Sequence, residues 1–354
     1  MQSCPAMGPP GGIVTLACLL AVLAPSCTST AAPTLPDVAP PLPGQLLSVT
    51  SDQTATGLVR YRPADATSET FASPIDLEAV NRATIAGVST AEGSLFVAAN
   101  SRSLQAYALP TDAAEVQELG PALDVRAEQL PSVQITEAGA VVATCDAVRV
   151  LPLPVADRWR SFGGGCWAAL DPSGGSVAIE DDGVVVQRPL DGGRDRTLFP
   201  LSDLTASLGT DAPPRLIGEP AWGPAGLAFF VRAGDQLGVF IRDADGRVVE
   251  VLQEEYTNVY RVPRLAWQPD GTILAISDDV GPHPAVLRVF DSATGELRAI
   301  SLFPVGYAGL LWAPDGTSLA VLTGTGLLIV VGLDGGWLLR RETDWKELLG
   351  WEAA

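Results

Sequence analysis

Leu265-Ala-Trp-Gln-Pro-Asp-Gly-Thr-Ile-Leu-Ala-Ile-Ser277 is a short apolar strand ending in Trp, a Pro-Asp-Gly turn, and a second strand of nearly unbroken apolar residues. Pro presets the first dihedral of the turn, Asp hydrogen-bonds its own backbone, and Gly accepts the positive φ that follows. The unit predicts a hairpin buried on both faces. It returns as Leu311-Trp-Ala-Pro-Asp-Gly-Thr-Ser-Leu-Ala-Val-Leu322. The turn glycines Gly226, Gly271 and Gly316 are spaced by 45 residues, and weaker copies put Gly174, Gly139 and Gly93 at intervals of 52, 35 and 46. Such a period suits a propeller blade of four strands.

Gly44-Gln-Leu-Leu-Ser-Val-Thr-Ser-Asp52 reads like the segment from Gly271 but lacks a preceding Trp strand. Leu348-Leu-Gly-Trp351 matches Arg264-Leu-Ala-Trp267 and supplies that strand from the other terminus. The expected fold is therefore all-β: a seven-bladed β-propeller over residues 44–354, closed by pairing of the C-terminal strand with the N-terminal blade. Closure removes two open sheet edges. Strands are expected at 46–49, 58–61 and 70–75 in blade one, 94–99 and 104–109 in blade two, and 140–144 and 148–151 in blade three. Blades four and five follow with 176–180, 184–189, 227–232 and 237–242. Asp191-Gly-Gly, Asp245-Gly246, Thr294-Gly295 and Asp334-Gly-Gly336 supply tight turns between third and fourth strands.

The pattern Trp-x-Pro-Asp-Gly-x-x-Leu-Ala at Trp267 and Trp312 resembles the WD40-like repeat of TolB-type β-propellers. In that family the repeat describes the scaffold, and the resemblance leaves function open.

The 36 Gly and 29 Pro in 354 residues agree with many turns, and no stretch reads as a long helix. A formal net charge of −19, with Lys346 the one lysine among 22 basic residues, argues against a nucleic-acid partner. Ile13 to Ala24 is a 12-residue apolar run, short for a membrane span but suited to a signal-peptide core over residues 1–26. Leu23-Ala-Pro-Ser-Cys27 resembles the lipobox of bacterial lipoproteins, with Ala24 where that motif prefers Leu. The resemblance implies lipid attachment at Cys27, and residues 27–43, with five prolines after Cys27, read as an extended tether. Export leaves Cys145 and Cys166 in an oxidising compartment, either as a disulfide stapling neighbouring blades or as two separate thiols.

The search for chemistry is mostly negative. His283, the one histidine, sits between two prolines in an expected exposed loop, and a single His leaves neither a multi-histidine metal site nor a Cys/His zinc site of the usual spacing available. No Gly-x-Ser-x-Gly nucleophile elbow occurs. Asp181-Asp-Gly183 and Asp243-Ala-Asp-Gly246 fall where hairpin turns are due and do not extend into a calcium loop. Catalytic residues, metal ligands and cofactors are each expected to be none. The 41 carboxylates leave room for an acidic pair in the channel that spacing alone does not reveal.

Loops leading into the innermost strands should gather at one mouth of the channel. By the period, these loops carry Arg158, Trp159, Arg160, Arg215, Tyr256, Tyr260, Arg261, Arg264 and Tyr307. Arg and aromatic groups make strong interface anchors, so this face is read as binding a protein partner or a small anionic or sugar-like ligand. In the alternative, the aromatics pack between blades and the arginines pair with acids such as Glu219, Glu254 and Glu255. The expected function is thus a monomeric, non-enzymatic binding scaffold at the bacterial envelope, touching the membrane through its lipid anchor alone. Rival readings are a sensor ectodomain and a propeller enzyme with an acidic, channel-centred site.

Overall fold

The computed structural model describes residues 42–353 apart from 52–55, 73–83, 91, 100–102, 112, 114, 126–131, 154–156, 257–263, 270, 279–284 and 304–306. Residues 1–26, Cys27, most of the tether, Tyr260, Arg261 and His283 lie outside the described residues. Seven four-stranded antiparallel sheets form the body. From the channel outward, blade one is β28 (Trp345–Glu352), β1 (Gln45–Ser51), β2 (Thr56–Arg62) and β3 (Thr67–Ala72). Blade two is β4 (Thr84–Thr90), β5 (Gly93–Ala99), β6 (Ser103–Pro110) and β7 (Gln117–Asp124). Blade three is β8 (Ser132–Thr136), β9 (Gly139–Ala143), β10 (Val148–Pro152) and β11 (Arg160–Ser161). Blade four is β12 (Ala168–Leu170), β13 (Ser176–Asp181), β14 (Val184–Pro189) and β15 (Arg196–Pro200). Blade five is β16 (Arg215–Gly223), β17 (Gly226–Ala233), β18 (Gln236–Arg242) and β19 (Val248–Glu255). Blade six is β20 (Arg264–Trp267), β21 (Ile273–Asp278), β22 (Ala285–Asp291) and β23 (Glu296–Phe303), and blade seven is β24 (Tyr307–Trp312), β25 (Ser318–Thr323), β26 (Leu327–Gly332) and β27 (Trp337–Glu342).

The repeated hairpin forms in the register its pattern implies, with Trp267 opposite Leu274 and Trp312 opposite Leu319. Each turn glycine is needed twice. Gly271 has φ 79°, and a Cβ there would lie 2.3 Å from Pro224 in the turn of the preceding blade. Gly316 has φ 69°, and its carbonyl accepts a 2.7 Å bond from buried Gln268 of blade six. The motif is therefore an interblade lock as well as a turn. Its Trp is a second lock: the Trp312 indole donates to Ala266 O at 2.9 Å, and Trp267 repeats the bond to Ala221 O at 3.0 Å.

Each blade buries its faces against two neighbours, and seven apolar clusters fill seven seams. The seam between blades seven and one joins Leu322, Leu328 and Val330 to Leu46, Tyr61 and Trp351. Closure joins the expected strands but one residue out of the repeat: Trp351 in β28 faces Leu46, whereas Trp267 and Trp312 each face the third residue after the turn glycine, the place Leu47 holds here. Trp351 departs from the other copies in its bond as well: its indole donates to Pro43 O, at the entry to its own blade, at 2.6 Å.

Uneven spacing in the repeat has local causes. A 3-10 turn at Leu201–Leu204 and a helical turn at Thr205–Leu208 lengthen the link between blades four and five, and Leu201, Leu204 and Leu208 pack into that seam. Blade three is short because its outer strand has two residues, pairing Arg149 with Ser161 and Val150 with Arg160. Cys145 and Cys166 form a disulfide that ties the end of the β8–β9 hairpin to the segment entering β12.

Candidate functional site

The innermost strands β28, β4, β8, β12, β16, β20 and β24 line the channel. Repetition of one topology sends all of them the same way, so their first residues share one mouth. Arg215 and Arg264 open β16 and β20 as the sequence suggests, and the backbone of Tyr307 opens β24. The other described residues of the expected face lie elsewhere. Trp159 and Arg160 belong to the outer edge of blade three: the indole donates to Pro121 O of β7 at 2.9 Å and the guanidinium to Leu190 O at 3.3 Å. The preceding Arg158 is exposed on the same segment. The short blade puts these residues at and just before its last strand instead of after it. Tyr256 is buried in the seam between blades five and six, beneath Arg232 at 4.6 Å from its ring centre.

A different group assembles inside the ring. The pairing of β16 with β17 breaks between Ile217 and Ala221. Within the break, Gly218 takes φ 73° and Pro220 has no N–H to give a ladder, so Gly218-Glu219-Pro220 leaves the strand as a bulge. Across the three-residue β12 it reaches blade three, where Val133 N and Ser132 Oγ each donate to Glu219 Oε1 at 3.4 Å. The Gln134 side-chain amide donates to Pro220 O.

Arg264 stands beside this bulge. Its backbone N–H donates to Ser277 Oγ at 3.1 Å, and Nη2 lies 3.6 Å from Glu347 Oε2 on β28. That distance is a charge contact and not a locked hydrogen-bonded fork. The Glu347 backbone carbonyl accepts from Ser48 Oγ at 2.8 Å, which fixes the strand beneath the carboxylate. On its other side a Cβ at Gly309 would come within 3.3 Å of Glu347 Oε1. The side chains of Arg264 and Glu347 keep 40% and 18% accessibility while surrounded by the inner strands. That combination describes groups lining a wet channel, not a dry core.

The electrostatics follow. Burial pushes the Glu347 carboxyl up to about 7; Arg264 opposes that rise and the like charge of Glu219 adds to it. Glu219 is also raised by burial, against the pull of Arg264 and the bonds from Val133 and Ser132. The Arg264 guanidinium is raised by Glu347 first and Glu219 last, with burial opposing. Nearer the mouth, Glu180 is raised by burial while the Leu216 N–H and Arg215 hold it down. Of the acids named in the alternative reading, Glu254 pairs with Arg288, outside the expected face, and Arg264 makes its ion contact with Glu347.

Glu347 and Ser132 escaped the sequence reading, and Glu219 entered it only as a pairing partner. The legible signals were Gly-Glu-Pro inside an inner-strand position and Glu347 directly before the apolar run Leu348–Trp351. Among the described residues, no group of three His, Cys, Asp or Glu is placed to hold a metal ion.

No family model matches the sequence, and no curated protein matches it. Solved structures do share the fold. A provisionally assigned 6-phosphogluconolactonase from Bacteroides uniformis superposes with a TM-score of 0.59 at 15% identity, over 88% of this chain and 98% of that one. The periplasmic gluconolactonase of Pseudomonas aeruginosa gives 0.58 at 12% identity, over 87% and 98%. A provisionally assigned 6-phosphogluconolactonase from Bacteroides fragilis gives 0.56 at 14%, over 89% and 98%. The resemblance to TolB-type propellers is corrected accordingly: the seven-bladed propeller stands, but these similar structures carry lactonase names. The same names run against a scaffold that is not an enzyme.

Proposed function

We propose that this chain hydrolyses cyclic esters in its channel, with Glu347 as general base and Arg264 as the cation facing the carbonyl oxygen. The observation that carries the reading is a carboxylate with a pKa near 7, 3.6 Å from a partly accessible guanidinium. A base poised near neutrality is half ionised at working pH and strong enough to take a proton from water. Water adds to the lactone carbonyl carbon, its proton passes to Glu347, and the oxygen gains negative charge beside Arg264. The tetrahedral adduct then expels the ring oxygen, which takes the proton back from Glu347. The product is a hydroxy acid, and the base is restored. Fixed positive charge aimed at the developing oxyanion stabilises that step without rearrangement.

The likeness to propellers with lactonase names supports the substrate class. The reading predicts hydrolysis of glucono-δ-lactone above the spontaneous rate, followed by proton release, with activity rising through about pH 7. Glu347→Gln should lower kcat/KM by about 10²- to 10⁴-fold, the usual range for loss of a general base. A wild-type rate equal to the spontaneous one across a panel of lactones would discard the proposal.

The site of action belongs to the same proposal. The apolar run ending before Cys27, the Cys145–Cys166 disulfide and the likeness to a periplasmic protein support a place outside the cytoplasm. Among the described residues no helix is long and apolar enough to cross a membrane. Intact mass of the mature chain from the envelope should show a diacylated N-terminal Cys27; an unmodified N-terminus there excludes the anchor.

A further inference from the structure

We propose that Gly309 keeps the Oε1 side of the Glu347 carboxylate open to water, which makes Oε1 the oxygen that receives the proton. The open side is a property of the channel wall, and the destination of the proton rests on the reading of Glu347 as base.

The two oxygens of Glu347 face different neighbours. Oε2 lies 3.6 Å from Arg264 Nη2. Oε1 faces β24, where a Cβ on Gly309 would lie 3.3 Å from it and 3.1 Å from Leu348 Cβ. The backbone does not demand glycine there, since its φ is not positive as those of the turn glycines are. β24 slips out of register with β25 between Tyr307 and Gly309, and such a bulge re-aims the residues beside it. Any side chain at this point would fill the space in front of Oε1.

A carboxylate on a loose strand could swing away from an added methyl, but this one is held. β28 shifts register with β1 on both sides of the pairs Ser48–Leu348 and Val49–Glu347, so Glu347 stands on a two-residue step between two irregularities. Within that step buried Ser48 donates from Oγ to Glu347 O at 2.8 Å. The side chain keeps 18% accessibility, and with Oε2 turned to Arg264 the Oε1 side is left for water. A water there adds through its oxygen to the lactone carbonyl carbon while its proton passes to Oε1. The ring oxygen then leaves with the electron pair of its bond and takes that proton back.

Gly309→Ala adds volume without charge. Among the described residues, the charged groups facing Glu347 are Arg264 from β20 and Glu219 from β16, and an added methyl alters neither charge. β1 offers Ser48 and β4 places Gly87 against Leu349; neither titrates, and Lys346, the neighbour in the chain, is exposed. A methyl in place of water disfavours the ionised carboxylate, so its titration should move up.

The test uses the full mature chain. The Glu347 carboxyl resonance is identified by 13C NMR through its loss in Glu347→Gln, then titrated in wild type and Gly309→Ala, and glucono-δ-lactone hydrolysis is compared at the plateau of each pH profile. The midpoint should rise by about half a pH unit. Plateau kcat should fall by about 10²-fold, the order that a misplacement of about 1 Å costs, with KM unchanged. A glycine that serves packing alone would change stability and leave the midpoint and the plateau kcat of the folded chain as they were, and either one unchanged overturns the inference. A KM that rises at constant kcat places the glycine against the substrate ring and overturns it too. Should Gly309→Ala not fold, the same readings are taken with Leu348→Ala added, against Leu348→Ala alone, because that change removes the Cγ the methyl would meet at 3.1 Å. A double variant that also fails to fold assigns the glycine to packing and overturns the inference. A raised midpoint in a protein whose wild type hydrolyses no lactone supports the open Oε1 side and removes the lactonase reading.

Discussion

Glu347 connects function to stability at the scale of one residue. Its folded pKa is raised from 4.5 to about 7, so between those values the folded chain binds more protons than the unfolded chain. Unfolding free energy contributed by this group is therefore highest below pH 4.5, falls as pH rises through the window, and levels off above 7. Glu347→Gln removes the titration. The variant should gain up to about 3 kcal/mol over wild type at pH 8, at 1.36 kcal/mol per unit, and close to nothing at pH 4.5. Urea unfolding at the two pH values measures the difference, and equal differences at both would contradict the raised pKa. For the base proposed here, a cost to the stability of the fold is the trade that activity commonly exacts. None of this was legible from residue types alone. Glu219, Arg264 and Glu347 fall in three different repeats, and only the ring brings blades five, six and one around a common axis.

At the scale of elements, legibility tracks how much a strand's sequence is dictated by burial. In the later blades the second and third strands pack on both faces and carry long apolar runs, as β17, β18, β25 and β26 do. Outer strands meet solvent on one side, and β7 is mostly exposed, so its sequence carries little apolar signal. The two-residue β11 carried less still, and counting a full blade there shifted Arg158, Trp159 and Arg160 from the perimeter to the mouth. The β16 bulge went unread for a related reason. Gly and Pro signal a break in a strand, but whether the break ends the strand or re-aims one side chain depends on the partner across the channel. That partner, β8, lies 86 residues earlier in blade three, counted from Glu219 to Val133, and repeats neither the Trp nor the Pro-Asp-Gly turn.

The molecule as a whole depends on β28, which belongs to two seams at once. Trp345, Leu348 and Trp351 pack against blade seven, while Leu349 packs against blade two. At the far end of the strand, buried Glu352 pairs with Arg60 at 3.2 Å and accepts from Ser94, and Arg60 also donates to Thr111 O at 3.2 Å. Truncating a buried aromatic costs about 3 to 5 kcal/mol, so Trp351→Ala should destabilise by that amount. Removal of residues 345–354 is worse in kind: it opens the edge of β1, empties both seams, strands Arg60 as an unpaired buried cation, and deletes Glu347. The truncated chain should lose its cooperative thermal transition. A synthetic peptide of residues 343–354 should restore it by adding the missing strand, with a midpoint that rises with peptide concentration, because ligand binding to the folded state stabilises by mass action. Lactone hydrolysis should return with the fold when the peptide carries Glu347, and the fold alone should return when that position is Gln. A truncated chain that melts like the full one, or a peptide without effect on it, would mean that the ring does not depend on this strand for closure.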